Sequence, residues 1–150
     1  MTTTAPPAYF ERQHERLDAQ LQAHLLDVAG ADFGSALERL EHWRRDLDRH
    51  TEIENTLLLP HVPPGARWAA RVYLLEHERI GLLADEYEQR VRAVVAQPPQ
   101  GELARRRAVL LLLDAAHALR HVLEHHNERE HQALAHELPL ELQKTAWAGE

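Results

Sequence analysis

The chain has 150 residues, 44% hydrophobic and 27% charged, with a net charge of -7, 12 histidines and no cysteine. That length makes one domain with a core it can bury. The acidic balance and few aromatics argue against a nucleic-acid surface, and the missing cysteine excludes disulfides and thiolate chemistry and fits a cytoplasmic location.

Residues 1–7 carry no basic stretch and no apolar core, so no secretory leader is read there. The longest apolar run, residues 108–113, falls far short of the roughly 20 residues of a membrane span, so no membrane partner is expected. Breaks at Pro6 and Pro7, Gly30 and Gly34, residues 60–65, residues 98–101 and Pro139 divide the chain into four helical segments. They are expected at 8–29, 33–59, 66–96 and 102–137, and 138–150, including Trp147, reads as a C-terminal tail. Short connections make neighbours antiparallel, so the expected fold is all-α, an up-down-up-down four-helix bundle.

At about 100° per residue, one face of the first segment carries Phe10, His14, Leu17, Leu21, Leu25 and Val28. Asp18, one turn after His14, is an additional carboxylate near that face. Asp32 is placed to cap the second segment. There the face of His50 holds Leu40, Trp43, Leu47, Glu54, Leu57 and Leu58, and Asp46 sits one turn earlier, where it can orient an imidazole. Trp43 reads as core packing.

In the third segment His77 shares its face with Ala70, Tyr73, Leu74, Ala84 and Val91, with Gly81 one turn further on. In the fourth, His126 shares its face with Ala108, Leu112, Ala115, Leu119, Val122, Leu123, Glu130 and Ala133. His125 lies at the edge of that seam and competes with His126. Phase puts His121 opposite His126, and His117, His121 and His125 form a row on or beside the outer face. His24, His42, His61, His131 and His136 are expected on the surface, and the run Arg105, Arg106 and Arg107 as a solvated turn.

Two pairs, His50 with Glu54 and His126 with Glu130, repeat the pattern His-x-x-x-Glu. Positions i and i+4 share a helix face, so an imidazole and a carboxylate at that spacing reach one metal or one metal pair. Reflecting positions across each turn sets His14 level with His50, His50 with His77, and His77 about one turn from His126. Six inward residues thus fall in one layer, where a buried imidazole or carboxylate is costly unless paired or metal-bound. Four histidines and two glutamates without thiolate suit iron, manganese or zinc. The order His-x-x-x-Glu differs from the Glu-x-x-His of ferritin-like bundles.

His14, the His50…Glu54 pair followed by Pro60, the run Glu76, His77, Glu78 and the His126…Glu130 pair resemble a hemerythrin-like (HHE cation-binding) domain over residues 9–137. The resemblance implies a non-haem di-iron centre with an oxo- or hydroxo-bridge. His14 and His50 would serve one iron, His77 and His126 the other, and Glu54 and Glu130 would bridge. It also implies dioxygen or a related small ligand, nitric oxide or peroxide, to be bound or sensed. The alternatives are a redox enzyme consuming peroxide or nitric oxide on that centre, a mononuclear or zinc site, and a metal-free helical interaction module. Oxygen-carrying members place a second histidine one turn from the first on the third helix. Here Tyr73 and Gly81 flank His77 instead, so Tyr73 is the candidate cofactor-binding residue and Gly81 a candidate for clearing space. The sequence names no protein partner.

Overall fold

A computed structural model describes residues 9–150. Residues 1–8, with Pro6, Pro7 and the expected start of the first helix, lie outside the described residues. Helix α1 (Tyr9–Ala29) is followed by α2 (Phe33–Ile53), α3 (Ala70–Ala96) and α4 (Glu102–Arg129), and then by the short α5 (Ala135–Glu137) and α6 (Leu140–Ala146). The described residues contain no strand, and none of their helices is long and apolar enough to cross a membrane.

The turns follow from local chemistry. Asp32 accepts a hydrogen bond from the Ser35 backbone N–H at 3.3 Å, capping α2 as expected. Gly101, just before α4, has a φ of 86°, a region glycine enters without the steric cost a Cβ would bring. Helix α3 starts at Ala70, later than the expected residue 66, because residues 62–69 form an irregular segment. The Glu137 carboxylate holds that segment by accepting the Arg67 backbone N–H at 2.7 Å.

Contacts between α1 and α2 run in opposite directions along the two helices: Gln20 bonds to Asp46, and His24 further along α1 bonds to Ala36, earlier in α2. The same reversal relates α2 to α3, where Arg44 meets Asp85 and Glu41 meets Arg92. Helix α3 packs on α4, and α4 closes the group against α1.

The second and fourth segments depart from plain α-helix at the same point of their motif. Glu54–Leu58 and Glu130–Leu134 are π-helical turns, each opening on the glutamate of a His-x-x-x-Glu pair. In each the glutamate carbonyl accepts from a backbone N–H five residues on, at Leu59 and Ala135. Pro60, which cannot donate back into the helix, follows the first turn. One extra residue per turn rotates everything after it by about 100°. Leu58 and Leu59 are therefore buried, while Leu57, expected on the inward face, is 47% exposed. Leu74, also expected inward, is exposed on α3.

Two apolar cores result. The larger runs through all four long helices around Leu21, Leu40, Trp43, Ile80, Leu112 and Leu119. The smaller joins Phe10, Leu58, Leu59, Tyr73, Leu134 and Trp147 at the other end. The segment expected as a tail belongs to that second core: Trp147 is buried, and Gln143 anchors α6 by donating to the carbonyls of Ala135 and Leu138, both at 3.0 Å.

Candidate metal centre

Between the two cores lies a polar layer. His14, His50, His77, His126, Glu54 and Glu130 are all buried, and both glutamates are fully so. They form two groups, His14, His50, Glu54 and Glu130 on one side and Glu54, His77, His126 and Glu130 on the other, each with ligand atoms within 4.8 Å of one another. Both glutamates belong to both groups.

The individual oxygens are divided between them. Glu54 sets Oε1 against His50 Nε2 and Oε2 at 3.4 Å from His77 Nε2. Glu130 sets Oε1 at 2.8 Å from His14 Nε2 and Oε2 at 3.1 Å from His126 Nε2 and 3.8 Å from His77 Nε2. Close as they are, these groups do not satisfy one another: Nε2 of His14 and His77 and all four carboxylate oxygens lack hydrogen-bond geometry to any described residue. Proximity without hydrogen-bond alignment is what ligands of a shared cation show, each lone pair aimed at a common point rather than at a neighbour's proton.

Three of the four imidazoles are held from behind through Nδ1. That of His14 lies 2.7 Å from His131 Nε2, that of His77 2.6 Å from Asn55 Oδ1, and that of His126 3.0 Å from Glu76 Oε1. The oxygen acceptors behind His77 and His126 fix the tautomer that presents Nε2 and raise the basicity of those rings, while His131 holds the orientation of His14. Glu76 is itself held by Arg129 at 3.0 Å, and the Arg129 guanidinium lies over the Trp68 ring at 4.2 Å.

Electrostatics follow the same layout. Burial alone would lower the His77 and His126 pKa values, but the facing carboxylates outweigh it and push them up to about 9 and about 10. Burial likewise opposes ionisation of Glu130, yet His126 above all holds it well below the usual carboxylate range. Glu76 is lowered against burial by His126 and Arg129.

The Tyr73 hydroxyl is fully buried and has no hydrogen-bond partner among the described residues. Burial first, then the charges of Glu137 and Glu130, raise its pKa, which keeps it a neutral donor rather than a phenolate.

Several expectations are corrected. Asp46 accepts from Gln20 at 2.7 Å and lies 3.7 Å from His42, so it does not orient His50. A Cβ at Gly81 would meet Arg44 Nη2 at 3.8 Å, placing this glycine beside the α2 rim and not over the metal layer. His125 is exposed and packs edge-on to His121, whereas His126 faces the layer. Asp18 is exposed beside the cavity described below and joins neither ligand group.

His24 and His131, both expected on the surface, are not there. His24 is fully buried, and His131 is half-buried and stacked on His14 at 4.8 Å. His131 follows Glu130 directly, beside the inward face, where its ring meets His14 of α1. Asn55 likewise follows Glu54 directly and meets His77 of α3 from the side of the seam. The signal for Glu76 was present, since the height reflection that pairs residue 77 with the region of 126 also brings Glu76 there.

A cavity of about 740 Å³ joins the layer to the surface. His14, His50, His77 and His126 line its inner part, and exposed Glu15 and Glu124 stand at its mouth.

The model of the hemerythrin HHE cation binding domain matches residues 5–138. No curated protein and no solved structure matches the chain significantly.

Proposed function

From the premise that the chain belongs to the hemerythrin HHE cation-binding domain family, we propose that it holds two metal ions, a pair of irons, and there binds or senses dioxygen or a related small molecule. The observation that carries this reading is the division of the carboxylates: each of Glu54 and Glu130 offers one oxygen to each histidine pair. A bridging carboxylate needs that arrangement, and a mononuclear site does not. In this reading His14 and His50 hold one ion and His77 and His126 the other. The donor set fits iron, with manganese or zinc as chemical alternatives.

A bound iron pair supplies open coordination positions and one-electron chemistry. The chain's own groups do the rest. His131, Asn55 and Glu76 hold three of the four imidazoles, and the buried Tyr73 keeps a neutral O–H available as a donor. The cavity supports access for a molecule the size of dioxygen, nitric oxide or peroxide. Turnover of peroxide or nitric oxide by the loaded protein would make the centre enzymatic; binding without turnover would make it a carrier or sensor.

The test is metal analysis of untagged protein alongside His50→Ala and His126→Ala. Two irons per wild-type chain and near-ultraviolet absorption that responds to azide are expected, with both lost or halved in the variants. Full iron content in both variants would end the assignment.

A further inference from the structure

The chain continues past residue 138, where the family match ends, and this continuation folds back onto the polar layer. We propose that Trp147 is a positioning residue for His50, and that the C-terminal segment is thereby a working part of the His14/His50 half of the centre. The inference rests on the two-metal reading above.

The four imidazoles are not held alike. His14, His77 and His126 each have an Nδ1 partner. His50 Nδ1 is buried and has none among the described residues. Its ring instead lies on the indole of Trp147, centroids 4.8 Å apart and planes 18° from parallel. The indole is 5% exposed and meets Phe10 edge-on at 5.9 Å. The segment is tied down beyond the Gln143 anchor: the Trp147 backbone N–H donates to Gln143 O at 3.0 Å, and the Glu150 carboxylate lies 3.7 Å from both Arg16 and Arg49.

An Nδ1 hydrogen bond does two things for a metal-binding imidazole: it stops ring rotation and it strengthens the donor. Stacking on a fixed indole does the first without the second. The two halves of the centre are therefore unequal. The His77/His126 half is backed by an amide oxygen and by a carboxylate that Arg129 in turn hydrogen-bonds. In the other half one ligand is kept in place by packing alone. The ion at His14 and His50 is the one that leaves first, and its residence depends on the indole face.

Cobalt(II) serves as the probe, added to full-length protein and followed as it is lost to an excess of chelator. Wild type is expected to release it in two phases. Trp147→Leu keeps apolar volume but removes the aromatic face; it should speed the fast phase by about tenfold or more and leave the slow phase unchanged. Trp147→Phe should restore the wild-type rate. Equal acceleration of both phases, or no change, would overturn the proposal.

A measurement on wild type needs no variant to fold. In zinc-loaded protein the His50 ring protons should be displaced upfield by the indole ring current and should lose their bound signal before those of His77 and His126 when chelator is added. Simultaneous loss would count against the inference. Failure of wild type to take up two ions of any of these metals would count instead against the two-metal reading.

Discussion

Two buried polar sites in this bundle contrast sharply. At one end His24 is fully buried, with Nδ1 2.6 Å from the Ala36 carbonyl and Nε2 2.6 Å from the Tyr87 hydroxyl. Both nitrogens are satisfied, and burial lowers the pKa so that the ring stays neutral. Toward the other end four buried histidines crowd two glutamates, and the inward-facing atoms of this group largely lack hydrogen-bond geometry. Burial by itself therefore does not mark a functional histidine. The difference is satisfaction: a paired imidazole is a strut between helices, whereas convergent lone pairs left open await a cation.

Substitutions should separate these two sites. The largest effect is expected at a shared carboxylate. Glu130→Ala removes an oxygen from each ligand group and should weaken metal binding by more than about 100-fold, read by titration with cobalt(II). Glu76→Gln leaves every ligand in place but takes the charge from behind His126. A loss of about 10- to 100-fold in affinity is expected, with helix content unchanged by circular dichroism. Tyr87→Phe strands the His24 Nε2 and should cost about 1–3 kcal/mol of stability in denaturant melts. Metal stoichiometry should stay at the wild-type value; a fall there would erase the distinction between strut and ligand.

The smallest effects are expected from pH, with opposite signs at the two sites in metal-free protein. His77 and His126 are raised in the folded state, so their contribution is fully present below the unfolded value of 6.5 and is lost as pH rises through about 9 to about 10. His24 is lowered, so its contribution is present above 6.5 and falls away as pH drops below that value. Denaturant melts across the range should show stability declining on both sides, and Tyr87→Phe should alter the acid side while leaving the decline between neutrality and about pH 9 unchanged. Metal uptake must displace the protons on His77 and His126, so affinity should rise with pH through neutrality, with proton release measurable in weak buffer.

Much of this was legible in residue order. The helical period placed His14, His50, His77 and His126 inward, and reflection across the turns set them at one height. The Asp32 cap and the breaks at Gly30 and near Pro98 were also readable. Part of what escaped traces to the π turns at Glu54 and Glu130. A constant 100° step cannot follow a backbone that gains a residue per turn, so Leu57 reads as inward in the sequence and is exposed in the fold; the parts played by Asn55 and His131 depend on the neighbouring helices they meet. Asp46 and Gly81 were misassigned because position on one helix does not say which neighbour a side chain meets. Here those neighbours are Gln20 and Arg44.

Sequence alone determined the residue types of the buried polar layer, their faces and their common level, because helix pitch and turn length are local properties. Tertiary structure decided the rest: which carboxylate oxygen serves which histidine pair, what stands behind each imidazole, and that the last residues cover His50. Those choices depend on contacts between segments distant in the chain, which no local period encodes.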